Sequence, residues 1–136
     1  MGRTVAEKLG LKPGMAGWAL GVPPGLSGLE NFARSTSPPA PPDVIIAFVA
    51  SIAAVTPALD AALPHYRRGE ALWFAYPKKT GAIRTDITRD RGWEAVEAAG
   101  LLPVSQVALD DTWSALRFRF RDEIKVLTRK SETGGR

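Results

Sequence analysis

The sequence predicts an α/β fold of three layers, with a mostly parallel sheet and a C-terminal antiparallel strand pair. Three observations lead there. "VIIAFVAS", residues 44–51, is a β-branched apolar run without alternation, as a strand buried on both faces requires. "EALWFAY", 70–76, is a second such run, and a helical pattern lies between the two. Strands that alternate with helices pair in parallel through right-handed crossovers. Finally, "PVSQVALD" (103–110) and "ALRFRFR" (115–121) flank "DTWS" and read as an antiparallel hairpin.

The remaining elements follow in chain order. Thr4 with Glu7 three residues on is a capping-box pattern, and Gly10 closes the short helix 5–9 that it opens. "MAGWALGV", 15–22, is a weak strand, because glycines reduce its packing area. "PPGLSGLENFARSTSPPAPP" carries a helical turn around Leu29 and Phe32, then a polyproline-like loop over 34–42. Thr56 caps the next helix with Pro57 at its first position, and Leu59 and Leu63 face the sheet. Pro64 breaks that helix, since its ring crowds the carbonyl four residues back. A helix over 89–99 follows, with Thr88 as its N-cap and Gly100 at its end; Gly92 weakens its start by up to ~1 kcal/mol. Residues 1–130 form a single domain, and the tail 131–136 is expected to be disordered.

Composition sets the outer limits. At 136 residues with 45% hydrophobic and 24% charged side chains, the chain can bury a real core. It has no cysteine, which removes disulfides and thiolate chemistry, and its one histidine, His65, cannot build a histidine-rich metal site. No secretory h-region or membrane-length apolar run is present, so a cytoplasmic location is expected. The net charge of +4 is uneven. Residues 1–66 balance four basic against four acidic side chains, whereas 66–91 and 117–136 each hold seven basic against three acidic. That bias favours anionic partners, although a solvated basic surface is the simpler explanation.

The stretch from "DVIIAFVAS" through "RRGEALWFAYPK" to "DDTWSALRFRF" resembles the C-terminal half of a class I methyltransferase, a Rossmann-like fold. There, two parallel strands are followed by a reversed pair that closes the sheet. More closely, "TVAEKLGLKPGM", "ALWFAYPKKTG…TDIT" and "DDTWSALRF" together resemble a bacterial family of small proteins catalogued as domain of unknown function 3052. The resemblance covers most of the chain outside 34–42 and implies a fold but no activity. It implies a truncated methyltransferase-like domain without the cofactor turn. "LGVPPGL" puts two prolines where S-adenosylmethionine would require glycines and amide donors, so no cofactor is expected.

In open α/β sheets, ligands collect at the carboxyl ends of parallel strands. "PKKTGAIRTDIT" begins at such an end. Lys78, Lys79 and Arg84 supply charge, Thr80 and Gly81 a hydroxyl and open amides, while Thr85, Asp86 and Thr88 order the loop. A helix starting near Arg89 would add its positive end. This would suit a phosphate or carboxylate, but the glycine and lysine spacing is not that of a Walker loop. A solvated loop whose hydroxyls merely cap turns is the plain alternative.

Secondary candidates are Asp110, Asp111, Trp113 and Arg117. Adjacent aspartates usually serve turn geometry, and on a strand they point apart, which suits no acid/base pair. Trp113 would be a lid or a cover for the sheet end. "LRFRFR" alternates, with Leu116, Phe118 and Phe120 on one face and Arg117, Arg119 and Arg121 on the other, spaced about 7 Å apart. Pairing Val107 with Leu116 would put Gln106 on the arginine face. A guanidinium row suits a nucleic-acid backbone, yet interleaved exposed aromatics are missing, so nucleic acid is disfavoured.

The sequence therefore points to a non-catalytic binder of a small anion. Three alternatives stand beside it. The chain could be a protein-interaction module that dimerises along its sheet edge. It could be an enzyme on a small anionic substrate, with Asp86 or Asp111 as base. It could also be a degenerate methyltransferase.

Overall fold

A computed structural model describes residues 4–38, 40–79 and 83–123. Thr80 and Gly81 of the predicted site, and the tail 131–136, lie outside the described residues. The architecture is α/β, built on one six-stranded mixed sheet in the order β2-β1-β3-β4-β6-β5. Its strands are β1 (Gly17–Leu20), β2 (Phe32–Ala33), β3 (Val44–Phe48), β4 (Ala71–Pro77), β5 (Leu101–Ala108) and β6 (Trp113–Phe120). The first four pair in parallel, and β6 runs antiparallel to both β4 and β5. Helices α1 (Val5–Leu9), α2 (Val55–Ala62) and α3 (Glu94–Ala98) accompany it.

Alternation along β3 and β4 feeds two cores. Ile45, Leu72, Phe74 and Tyr76 pack with Leu59 of α2, Val96 of α3 and Phe118 of β6. Val44, Ile46, Trp73 and Ala75 pack on the other side with Leu9 of α1 and Trp113. The Trp73 indole donates to the Leu9 carbonyl at 2.9 Å, which fastens the short α1 to the sheet. Thr4 and Glu7 form the expected capping box, and Gly10 ends the helix at φ 95°.

Several elements differ from the sequence expectation. The segment around Leu29 and Phe32 gives the two-residue strand β2 in place of a helical turn. Gly17 explains it: a Cβ there would stand 2.7 Å from the Phe32 ring, so the bare backbone lets Phe32 lie flat against β1 in extended form. Thr56 is not an N-cap. A 3-10 turn, Ile52–Ala54, precedes α2, and the Ile52 amide is capped instead by Asp86 Oδ1 at 2.8 Å. Pro64 does end α2, sitting in the 3-10 turn Leu63–His65.

The helix expected over 89–99 is reduced to Glu94–Ala98, and Thr88 does not cap it. Gly92 at φ 105° stops any earlier start, and a Cβ there would meet Ile52 at 2.8 Å and Ile87 at 3.0 Å. Residues 88–91 instead close a tight turn, with paired backbone hydrogen bonds between Thr88 and Arg91. The Trp93 indole donates to the Thr88 carbonyl at 2.8 Å and holds that turn against the core.

The hairpin begins earlier on both arms than expected, and its register is shifted by one. Gln106, not Val107, opposes Leu116. A one-residue slip reverses the face of every side chain. Gln106 therefore lies on the Leu116 face, away from the arginines, and this decides the composition of the site.

Candidate functional site

Beyond the carboxyl end of β4 lies a cavity of about 340 Å³ lined by Tyr76, Lys78, Lys79, Thr88, Arg89, Asp90, Gln106 and Ser114. Four elements supply these groups. Tyr76 is the last core residue of β4, with its ring edge-on to Trp93 at 5.8 Å. Ser114 is its cross-strand partner on β6, and Gln106 reaches over from β5. Lys78 and Lys79 follow β4 directly, and the Lys78 amide is anchored on the Thr112 carbonyl at 2.7 Å. The 88–91 turn brings in Thr88, Arg89 and Asp90.

A hydrogen-bond chain crosses the floor. Arg89 Nε donates to Gln106 Oε1 at 2.9 Å, and Gln106 Nε2 donates to the Tyr76 hydroxyl at 2.9 Å. Arg89 also pairs with Asp90 at 3.0 Å. Burial pushes the Tyr76 phenol above its ordinary range, against the opposing pull of Arg89 and the neighbouring Ser114 hydroxyl. At neutral pH Tyr76 therefore keeps its proton and remains a donor.

Of the predicted site residues, Lys78, Lys79 and Thr88 meet in this cavity. Thr85 and Asp86 do not line it; they tie the loop to the end of β3. Thr85 Oγ1 donates to the Ala50 carbonyl at 2.7 Å and accepts from the Ile87 amide at 3.1 Å. Asp86 caps Ile52, a structural task that occupies the carboxylate proposed as a base. Arg84 is exposed and outside the cavity lining. With α3 only five residues long and begun at Glu94, no helix end at Arg89 contributes charge.

The secondary candidates belong elsewhere. Asp110 Oδ1 accepts from the Thr112 and Trp113 amides at 2.8 and 2.7 Å, the turn role expected of it. Asp111 is exposed in the same turn. Trp113 is a core residue, edge-on to Phe48 at 5.2 Å, and not a lid. Arg117 is half-buried near the amino end of β4 and donates to the Glu70 carbonyl at 3.2 Å. Arg119 faces Glu123 at 3.9 Å, so the predicted arginine row is partly covered and internally engaged. Burial first, and Arg119 second, lower the affinity of Arg117 for its proton.

Sequence reasoning missed Tyr76, Arg89, Asp90, Gln106 and Ser114. Tyr76 was assigned to a strand, Ser114 to the hairpin turn, and Gln106 to the wrong face. Arg89 and Asp90 were assigned to a helix that does not begin there. The one available signal was "TRDRG", a charged run ending in glycine that also fits a turn.

Among the described residues, no cluster of three or more His, Asp or Glu could hold a metal ion, and no helix is long and apolar enough to cross a membrane. No family model matches the chain, and no curated protein matches it.

Proposed function

We propose that this chain is a cytoplasmic binding protein for a small phosphate- or carboxylate-bearing ligand, held in the cavity beyond β4. The observation that carries this is the convergence of Lys78, Lys79 and Arg89 on one cavity floored by the buried Tyr76 hydroxyl. Among the described lining residues Asp90 is the only carboxylate, so their charge keeps a positive excess. A low-dielectric floor strengthens each donor placed on it.

The fold reading behind this is a shortened, three-layer methyltransferase-like domain of the kind that the sequence resembles. Its support is the parallel β3 and β4 followed by the reversed pair β6 and β5. In such sheets the carboxyl ends of the parallel strands are where ligands collect.

A thermal-shift screen tests the function, with S-adenosylmethionine, nucleotides, sugar phosphates, polyphosphate and dicarboxylates at low and moderate salt. One anionic class should raise Tm, less so as salt screens the lysines. The pair Lys78→Ala and Lys79→Ala should abolish that rise. Stabilisation by S-adenosylmethionine alone, or silence across the panel, would sink the proposal.

A further inference from the structure

The direction of the hydrogen bonds on the cavity floor narrows the ligand class. An arginine N–H can only donate, so the Gln106 oxygen must face Arg89 and its amide nitrogen must face Tyr76. The Tyr76 oxygen is then an acceptor, and the phenolic proton is left over. Tyr76 is only 3% exposed, so a partner for that proton comes from a neighbouring side chain or from the cavity that Tyr76 lines. The proton goes either straight to the cavity or to Ser114, which also lines the cavity and is only 6% exposed. If Ser114 accepts it, the serine hydrogen is the one left over. Either way the floor presents a buried O–H donor.

The other convergent groups are donors as well: Lys78, Lys79 and the remaining N–H groups of Arg89. Such a set fits a group that only accepts. Among the described lining residues, three cations and one carboxylate leave two net positive charges. That matches a phosphate monoester, which carries about −1.5 to −2 near neutral pH, better than a single carboxylate. At about 340 Å³ the cavity has room beyond the phosphate itself. Thr88 and Asp90, both with side chains that can hydrogen-bond, are among the residues lining that space. Among the described lining residues the one aromatic is Tyr76, which is buried and offers no exposed face. A nucleobase would find nothing to stack on.

We propose that the ligand is a phosphate monoester of a small polyhydroxylated molecule, in the chemical class of the sugar phosphates. The Tyr76–Ser114 hydroxyl pair and Lys78 take its phosphate, and Asp90 takes a ligand hydroxyl. This rests on the anion-binding function above and specifies it.

Calorimetric titration of the full chain with ribose 5-phosphate, inorganic phosphate, pyrophosphate, succinate, ribose and adenosine 5′-monophosphate decides it. Ribose 5-phosphate should bind at least about tenfold tighter than inorganic phosphate, ribose should not bind, and the adenine should add nothing. Tyr76→Phe should weaken both phosphate ligands by about tenfold, the size expected for one lost hydrogen bond to an anion, with the thermal transition retained. Asp90→Asn, at an exposed position, should bring ribose 5-phosphate down to the level of inorganic phosphate and spare the latter. Equal binding of the two phosphates by the native chain would overturn the sugar-phosphate class, and so would tighter binding of succinate. Both results would leave the anion site standing. A Tyr76→Phe variant that binds normally would overturn the role of the floor. Failure of every anion, inorganic phosphate and pyrophosphate included, would overturn this proposal together with the function it rests on.

Discussion

The two ends of the sheet treat positive charge in opposite ways. At the amino end of β4, Arg67, Arg68 and Arg119 are answered by carboxylates from within the chain. Among the described residues Arg117 has only the Glu70 carbonyl, and the Nε atoms of Arg117 and Arg119 are buried without a hydrogen-bond partner. Arg68 pairs with Asp122 at 3.1 Å and lies over the Phe120 ring at 4.4 Å, and Arg67 reaches Asp43 and Glu70. Glu123 accepts from the Tyr66 hydroxyl at 2.8 Å and from the Gly69 and Phe120 amides at 3.0 and 2.8 Å. At the carboxyl end, Lys78 and Lys79 have no carboxylate partner among the described residues, and Arg89 has only the exposed Asp90. Charge that is matched internally holds the fold together. Charge left unmatched over a buried hydroxyl is available to something else. A basic composition cannot distinguish the two; only the placement of the acids does.

The sharpest way to break this contrast is to remove the acid at the amino end. Glu123→Ala strips an acceptor from one hydroxyl and two amides, and should cost about 3 kcal/mol in urea unfolding while leaving anion binding intact. Its pH behaviour gives a second check. Burial raises the Glu123 carboxyl, but the Gly69 and Phe120 amides, the Tyr66 hydroxyl and Arg119 outweigh it and hold it below the ordinary range. A lowered folded-state value means that stability is present above the unfolded value, about 4.3, and is lost as pH falls through the folded one. Glu123→Gln should flatten that acid limb. A ligand affinity that falls with either variant would mean that the two ends are not independent.

Gly92→Ala comes next. Its φ of 105° and the crowding by Ile52 and Ile87 should cost about 1–3 kcal/mol. Because Gly92 sets the turn that presents Arg89 and Asp90, this variant should also weaken anion binding. The Glu123 variants should not. A thermal melt and a titration of the same sample make the comparison.

The smallest effect is expected from Lys78→Ala with Lys79→Ala. Stability should stay within about 0.5 kcal/mol of the parent, or rise as repulsion is relieved. A clear loss of stability would mean that these lysines have internal partners after all, and the contrast between the two ends would fail.

Much of this molecule is legible in its sequence, and the limit is physical. "VIIAFVAS" and "EALWFAY" declare buried parallel strands because continuous apolar runs have no solvated face to offer. The capping box at Thr4 and Glu7, the break at Pro64 and the turn at Asp110 are decided by bonds within a few residues, so local sequence specifies them. The lysines after β4 could be placed at a strand end by the same reasoning. The rest depends on residues far apart in the chain. Asp86 caps a helix 34 positions away, which frees Thr56 from that task. Gly92 adopts a positive φ where Ile52 and Ile87 leave no space for a side chain, and so α3 begins late and Arg89 faces a cavity. The hairpin register puts Gln106 beside Tyr76, one residue from where the alternating pattern suggested. Propensity and periodicity report what each segment can bury. Which side chains meet around an empty space is set by packing between segments, and that only the tertiary structure decides.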